Sequence, residues 1–414
     1  MTWKALGEAV AKDMFLARQL TIGPIRQPGV EAHMTAVRRR CLMAGGGPVG
    51  LLTHLALQCF INEFAWRETP EETERVAALQ AKGQWLPDEL SLLACYRPVT
   101  DVAAQWPEVL SELRTKVVSE VREERRLRDE IKALTPIRSG LSEAVREMYE
   151  ANPYPRWMVM GEASGRPPVQ MDAPEVLVAG CGTGKHAILT AKRYNDGRVL
   201  AVDLSLSSLA FAQRMARVMG ADNLTFGHAD ILELPTLGRS FDVIEAVGSL
   251  QCMEDPAEGL SVLESLLNPG GLIVLGLYSV IARKPLAAAM SLGENFGRTQ
   301  EDIRAFRAAV SDASTNDPVR QALEFGDFYS TSTCRDLLLH VKEHQHTLPQ
   351  IADMLSTAGL EFRGLNVPVS IMGQFRSLFP DDPEGLSLQN WHAFEQANPS
   401  TFRRMYHVWA QKPA

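Results

Sequence analysis

The segment EVLVAGCGTGKHA, residues 175–187, decides the fold of this chain of 414 residues. It begins with a short apolar run typical of a buried parallel strand, and it continues into a turn rich in glycine. Because glycine has no side chain, the backbone can turn tightly at these points and approach a ligand closely. The segment therefore predicts a strand, a ligand-binding turn and the start of a helix.

The residues that follow repeat the strand-then-helix pattern. Short β-branched runs alternate with helical stretches, which indicates an α/β fold with a parallel sheet. Strands are expected at 176–180, 198–203, 224–230, 241–247 and 271–278. Helices are expected near 185–194, 206–219 and 256–267, with a turn at 268–271. Segments 360–365 and 404–412 would complete a doubly wound, seven-stranded, Rossmann-like sheet, with the last strand antiparallel at or near its edge.

Two carboxylates end the second and third expected strands. Asp203 comes nineteen residues after Gly184, at the position where such a fold presents a carboxylate to ribose hydroxyls. Asp230 ends the next strand, where it is suited to receive an adenine amino group, and Ile231 is available to the ring face. An alternative for either residue alone is a carboxylate that caps the following helix.

The glycine turn does not fit a nicotinamide-binding site. That motif requires glycine or alanine at the position of Lys185, so G-x-G-x-x-G is not satisfied. The ordered set of turn and carboxylates instead favours a nucleoside-containing cofactor that is held without a grip on phosphate.

Residues 1–140 have a different pattern and predict an all-helical N-terminal domain. Apolar residues recur three and four apart in 5–20, 50–66 and 111–134. Pro48 stands where a helix could begin, and Thr69-Pro70-Glu71-Glu72 reads as a cap and first turn. Residues 141–414 would form the second domain.

Composition and charge exclude several classes of protein. The apolar fraction of 45% and the charged fraction of 22% are ordinary for a globular protein, and no apolar run reaches the length of a membrane span. The first residues lack the apolar block of a secretory signal, so we expect a cytoplasmic protein. A net charge of -8 gives no general attraction to nucleic acid. The six cysteines contain no C-x-x-C pair, so neither a disulfide framework nor a cysteine zinc site is expected.

The successive motifs resemble those of class I S-adenosylmethionine (SAM)-dependent methyltransferases over residues 174–280. The motifs are VLVAGCGTG, AVDLS, GHADILELP, FDVIEAVGSLQCMEDP and LLNPGGLIVLGLYS. The resemblance implies that SAM is the cofactor, that Gly180 and Gly182 approach its methionine part, and that Asp203 holds its ribose. Asp230 would contact adenine. The cofactor-binding set expected from the sequence is Tyr154, Arg156, Gly180, Cys181, Gly182, Asp203, Leu204, Asp230, Ile231, Val247 and Gly248.

A narrower resemblance extends beyond the cofactor motifs. MYEANPYPRW, residues 148–157, and the segments 327–351 and 398–412 are similar to bacterial methyltransferases associated with tetratricopeptide repeats. The NPYPRW segment would cover the cofactor, with Arg156 near its methionine carboxylate, or would serve as a structural plug. One departure is that many small-molecule members carry a His-His pair where this chain has Gln251-Cys252.

The acceptor site is expected in a helical lid inserted at about residues 279–348, because this stretch is too long for a simple connection. His340-Val-Lys-Glu343-His344 spells H-x-x-E-H, which would place two imidazoles one helical turn apart. An inverted zinc peptidase motif, a metal- or base-assisted acceptor site and ordinary lid residues are the three interpretations. Candidate catalytic residues are Tyr329, His340, Glu343 and His344.

The sequence therefore predicts a SAM-dependent methyltransferase that acts on a peptide, protein or small-molecule acceptor, and that could form a homodimer. The alternative is a catalytically inactive SAM-binding scaffold or sensor.

Overall fold

The computed structural model describes residues 14–102, 105–138, 140–151, 153–154, 156–161, 169 and 171–414. The chain divides into two compact units. The first, here called the helical unit, comprises Met1–Arg126, Pro155–Met160 and Leu286–His340. The second, here called the sheet unit, comprises Leu127–Tyr154, Gly161–Pro285 and Val341–Ala414.

The described α-helices are, in chain order, α1 (Met14–Thr21), α2 (Pro28–Met43), α3 (Val49–Ile61), α4 (Pro70–Ala81), α5 (Pro87–Ala94), α6 (Ser111–Arg114), α7 (Glu120–Glu130), α8 (Leu141–Ala151), α9 (Lys185–Arg193), α10 (Leu206–Met219), α11 (Pro256–Ser265), α12 (Val280–Arg283), α13 (Ala287–Gly293), α14 (Gln300–Asp312), α15 (Thr331–Leu338), α16 (Leu348–Thr357), α17 (Val369–Leu378) and α18 (Leu388–Ala397). A π-helical turn, Thr115–Ser119, joins α6 to α7. The strands are β1 (Glu175–Ala179), β2 (Arg198–Asp203), β3 (Leu224–His228), β4 (Phe241–Val247), β5 (Leu267–Ser279), β6 (Gln345–His346), β7 (Glu361–Leu365) and β8 (Tyr406–Gln411).

The helical character expected for the N-terminal region is confirmed in the described residues. Helix α3 begins directly after Pro48. At the start of α4, the Glu72 N–H donates to Thr69 Oγ1 and the Thr69 N–H donates to Glu72 Oε2, at 3.3 and 2.9 Å. This reciprocal pair satisfies two N–H groups that a helix start leaves open. The expected helix at 5–20 lies partly outside the described residues.

The helical unit joins N-terminal helices to the segment that follows β5. The Arg307 guanidinium on α14 donates to both carboxylate oxygens of Glu31 on α2, each at 2.9 Å. The buried Glu63 carboxylate accepts the N–H and the hydroxyl of Ser332 on α15, at 2.5 and 2.8 Å. Glu63 itself has a left-handed φ of 58°, which a non-glycine residue adopts only when its surroundings hold it there. Residues 286–340 therefore fold as one body with the described residues that precede Leu127.

The sheet unit has the mixed Rossmann-like sheet that the strand pattern predicts. Its strand order is β3-β2-β1-β4-β5-β8-β7, with the two-residue β6 paired to β5 off this path. All pairs from β3 to β5 are parallel, and β8 is antiparallel to β5 and β7. The last strand lies one position from the edge, as expected. The carboxyl ends of β1, β2 and β4 consequently meet on one side of the sheet, where α/β sheets bind ligands.

Two local expectations are corrected. The turn expected at 268–271 lies within β5, which already begins at Leu267, and the pairing with β4 shifts register there. The H-x-x-E-H segment is not helical: α15 ends at Leu338, and residues 345–346 form β6. Because the segment runs on toward a strand, His340 and His344 are not one helical turn apart.

Candidate functional site

The glycine turn is held tightly against the ends of two strands. The N–H groups of Gly180 and Cys181 both donate to the Val202 carbonyl on β2, each at 2.9 Å. Gly180, Gly182 and Gly184 have left-handed φ angles of 77°, 52° and 77°. A Cβ at Gly182 would lie 2.8 Å from the Tyr154 carbonyl oxygen. Glycine is therefore required at Gly182 for both conformation and space.

Asp203 lies at the end of β2, beside this turn. Its Oδ2 accepts the Gly182 N–H at 2.7 Å, and its Oδ1 accepts the Ser205 N–H at 2.9 Å. Burial raises the pKa of this carboxyl, and the hydrogen bonds from Ser205 and Gly182 oppose that rise. A carboxylate has about four acceptor positions, so each oxygen can still accept a hydroxyl group. Asp203 thus fits the ribose-binding role that the sequence predicts.

Asp230 follows β3 and is 2% exposed. Its Oδ1 accepts the Leu232 N–H at 3.1 Å and caps the 3-10 helix Ile231–Leu237. Its Oδ2 accepts the backbone N–H of Arg138, also at 3.1 Å. The capping alternative is therefore realised, and acceptor positions remain on both oxygens. The contact with Arg138 was not predicted, because no sequence motif connects residues so far apart.

Helix α8 and the residues after it form one wall of the site within the sheet unit. Glu150 Oε2 accepts the Ser205 hydroxyl and the Ser207 N–H, at 3.1 and 3.2 Å. The Thr183 N–H donates to the Tyr154 carbonyl at 3.3 Å. Tyr154 therefore lies against the glycine turn, as a cofactor-covering segment requires. Glu150 is a neighbour of the site that sequence reasoning missed.

The rest of the NPYPRW segment is divided. Asn152 and Pro155 lie outside the described residues. Arg156 belongs to the helical unit, where its guanidinium lies over the Phe60 ring at 4.5 Å and near Glu124 at 3.5 Å.

The remaining cofactor candidates lie at the same strand ends. His228 Nε2 lies 2.9 Å from the Leu204 carbonyl oxygen after β2, and Ile231 is half-buried after β3. Gly248 follows Val247 with a φ of 84°, and its N–H donates to the Gly276 carbonyl at 3.2 Å. Cys181 is buried, which raises the pKa of its thiol.

The four acceptor candidates are divided between the two units. Tyr329 is in the core of the helical unit, where its hydroxyl donates to the Leu323 carbonyl and burial raises its pKa to about 12. His340 also belongs to that unit, whereas Glu343 and His344 belong to the sheet unit. Glu343 forms a buried ion pair with Arg283 at 3.1 Å.

His344 lies next to the segment that follows β4. Its N–H donates to the Gln251 carbonyl at 2.8 Å. Its Nε2 and Gln251 Oε1 are buried, and neither has a hydrogen-bond partner among the described residues. His344 therefore adjoins Gln251, one of the two positions at which the sequence resemblance would place a His-His pair.

Among the described residues, no three His, Cys, Asp or Glu side chains form a group that could hold a metal ion. Within the same residues, no helix has the length and apolar character needed to cross a membrane.

Comparison with known proteins identifies the class of this domain. Residues 172–327 match the family model of a methyltransferase domain. The fold, the glycine turn and this match define a Rossmann-like class I methyltransferase domain, the class whose methyl donor is SAM. Residues 172–327, which are less than half of the chain, are therefore similar to the methyltransferase domain family.

The matches to curated relatives cover only part of each relative's length. An uncharacterized protein of Synechococcus sp. is 28% identical over 255 residues, which are 55% of this chain and 60% of the relative. A malonyl-[acyl-carrier protein] O-methyltransferase of Methylovorus sp. is 28% identical over 29% of this chain and 42% of the relative. A demethylmenaquinone methyltransferase of Clavibacter sepedonicus is 35% identical over 25% of this chain and 40% of the relative. The chain thus spans 40 to 60% of the length of these relatives.

Solved structures include PKMT2 from Rickettsia typhi in complex with AdoHcy, with a TM-score of 0.43 and 17% identity over 58% of this chain and 49% of that one. Magnesium protoporphyrin IX methyltransferase from Synechocystis with bound SAH has a TM-score of 0.34 and 16% identity, and the match covers 58% of this chain and 75% of that one.

Proposed function

We propose that this chain transfers the methyl group of SAM to a nucleophilic atom of a peptide, protein or small-molecule acceptor. The observation that carries the proposal is the hydrogen bond from the Gly182 N–H to Asp203, which joins the glycine turn to the carboxylate that we propose as the ribose ligand. The methyltransferase-domain match of residues 172–327 supports the same activity.

In the proposed complex, the ribose hydroxyls of SAM bind Asp203 and its adenine amino group binds Asp230. Leu204 and Ile231 lie beside the adenine ring. Gly180, Cys181 and Gly182 face the methionine part, because the two glycines carry no side chain that would collide with it. Val247 and Gly248 border the cleft where the acceptor enters. Tyr154 covers the turn, and we retain Arg156 as the candidate partner of the methionine carboxylate.

Methyl transfer from a sulfonium needs positioning more than covalent assistance, because the leaving group is neutral and already activated. Positioning contributes about 7 to 11 kcal/mol in well-aligned reactions. A base is needed only where the acceptor must lose a proton, and His344 is our candidate for it. Glu343 is tied to Arg283, and Tyr329 is enclosed in a core, so we give neither a proton-transfer role.

The acceptor class stays open between a peptide or protein and a small molecule, and we retain a slight preference for the former. The helical unit offers a large recognition surface. The relatives include enzymes named for a malonyl-carrier protein and for demethylmenaquinone, which differ widely in size. We also propose membership of the tetratricopeptide-repeat-associated methyltransferases, a cytoplasmic location and a homodimer. The domain boundary at residue 140 and the lid at 279–348 remain predictions.

Calorimetric titration of the purified protein with SAM, S-adenosylhomocysteine and NAD, in parallel, tests the donor. We expect micromolar binding of the first two and none of NAD. Failure of both SAM and S-adenosylhomocysteine to bind would contradict the proposal. Binding followed by no methylation of peptide, protein or metabolite mixtures by tritiated SAM would instead favour the scaffold or sensor.

A further inference from the structure

Residues 132–138, here called the strap, run alongside β3 in the sheet unit. The His228 N–H donates to the Lys132 carbonyl at 2.9 Å, and the Leu134 N–H donates to the His228 carbonyl at 2.8 Å. The strap thereby adds a short parallel bridge to the edge of the sheet. A Cβ at Gly227 would collide with the Leu134 side chain, so the sequence of β3 is matched to the strap.

The strap also holds Asp230 from two sides. Thr135 Oγ1 accepts the Asp230 N–H at 2.9 Å, which fixes its backbone. The Arg138 N–H donates to Asp230 Oδ2 at 3.1 Å, which fixes its carboxylate. Because Asp230 is buried, these contacts decide where its remaining acceptor positions point.

The Arg138 side chain fastens the strap to the elements that follow Asp230. Its Nε lies 2.6 Å from Glu233 Oε1 in the 3-10 helix, and its Nη1 lies 3.2 Å from Glu258 on α11. Its Nη2 donates to the Leu232 carbonyl at 3.3 Å. The guanidinium therefore holds the strap and the residues around Asp230 in one arrangement, although Arg138 is itself partly exposed.

We propose that the strap is part of the methyl-donor site, and that Thr135 and Arg138 are positioning residues that aim Asp230 at the amino group of adenine. The inference rests on the proposed function and adds a specificity determinant to it. The strap makes the site selective for a purine that carries an amino group and rejects one that carries a carbonyl oxygen at the same position. A carboxylate accepts a hydrogen bond from the first and repels the second.

The test compares two ligands that differ at this one group: S-adenosylhomocysteine and S-inosylhomocysteine. Calorimetry gives both affinities for the wild-type chain and for Thr135→Val, which removes the acceptor at nearly constant volume. We expect the wild type to prefer the adenosyl ligand by about 10- to 150-fold, the range of a hydrogen bond to a charged acceptor. In Thr135→Val the preference should fall to within about 3-fold.

Thr225→Val is the matched control. The Thr225 hydroxyl donates to the Val199 carbonyl at 3.2 Å, and this hydrogen bond does not involve Asp230. Its preference should equal that of the wild type. Arg138→Ala supplies a second variant should Thr135→Val fail to fold, and Arg239→Ala, which loses a surface pair with Glu175, is its control. We expect Arg138→Ala to lose preference and Arg239→Ala to keep it.

The outcomes separate the two proposals. If the wild type binds neither ligand, the proposed function and this inference both fail. If the wild type binds both ligands equally well, or if Thr135→Val and Arg138→Ala bind more weakly but keep the full preference, the strap is merely structural and this inference alone is overturned.

Discussion

Asp203 offers the sharpest test of the donor site. Each of its carboxylate oxygens already accepts a backbone N–H, from Gly182 and from Ser205, so the side chain is fixed in place before a ligand binds. Asp203→Ala removes the acceptor for the ribose hydroxyls. A hydrogen bond to a charged group contributes about 1.5 to 3 kcal/mol, so the affinity for S-adenosylhomocysteine should fall by about 10- to 150-fold.

The substitution also leaves two backbone N–H groups without their partner, which could weaken binding by disturbing the turn. Asp242→Ala controls for this effect. Asp242 also uses both oxygens, accepting the Glu175 N–H at 2.9 Å and the Asn268 amide at 2.7 Å, but it lies at the opposite end of the parallel strands. Calorimetry should show wild-type affinity in Asp242→Ala. Equal affinity in wild type and Asp203→Ala, or equal losses in the two variants, would refute the assignment of Asp203.

The pH dependence of the same binding gives an independent measurement. Burial raises the pKa of the Asp203 carboxyl above its ordinary value. The ionised form accepts the ribose hydroxyls, so affinity should be complete above this raised pKa and should fall as pH decreases through it. As the pH decreases through this raised pKa, the wild type should therefore lose more affinity than Asp203→Ala. Parallel pH profiles would show that another group is responsible.

Three further substitutions test contacts that stabilise the two units. Gly227→Ala should lower the free energy of unfolding by about 1 to 3 kcal/mol, because its Cβ meets Leu134; an unchanged melting temperature would contradict this. Thr69→Ala removes the capping box of α4 and should cost about 1 kcal/mol in urea unfolding, whereas a change below about 0.3 kcal/mol would not fit. Glu343→Ala removes one partner of a buried ion pair with Arg283 and should lower the free energy of unfolding by about 3 to 5 kcal/mol; a variant as stable as wild type would disprove the pair's structural role.

The sheet could be predicted because each strand carries its own local signal. The bounds of β2 and β4 agree with the expected 198–203 and 241–247, since apolar and β-branched residues fill these central strands and charged or turn residues flank them. The position of Asp203 at the end of β2 was predicted in the same way, and its ribose-binding role stays a prediction. Glycines mark the turn in the sequence, and in the structure these glycines have left-handed φ angles.

The residues of the expected lid were harder to predict, because their only signal was the spacing of the motif and no helical periodicity accompanied it. H-x-x-E-H carries chemistry only if it is helical, and the structure ends α15 before the motif begins. Glu343 then meets Arg283 on the preceding segment, a pairing that no local pattern indicates. The grouping of residues 286–340 with the N-terminal helices depends likewise on contacts such as Arg307 with Glu31, which are distant in sequence.

The strap shows what this difference means for donor recognition. Sequence motifs locate Asp230, but they do not show in which direction its carboxylate accepts a ligand. That direction depends on which of its acceptor positions the neighbouring residues already use. Thr135 and Arg138 supply those constraints from a segment that precedes the motif-bearing region and carries no motif itself. Homologous domains that keep the Asp and replace the strap should therefore keep the fold while differing in how strictly they distinguish adenine from hypoxanthine.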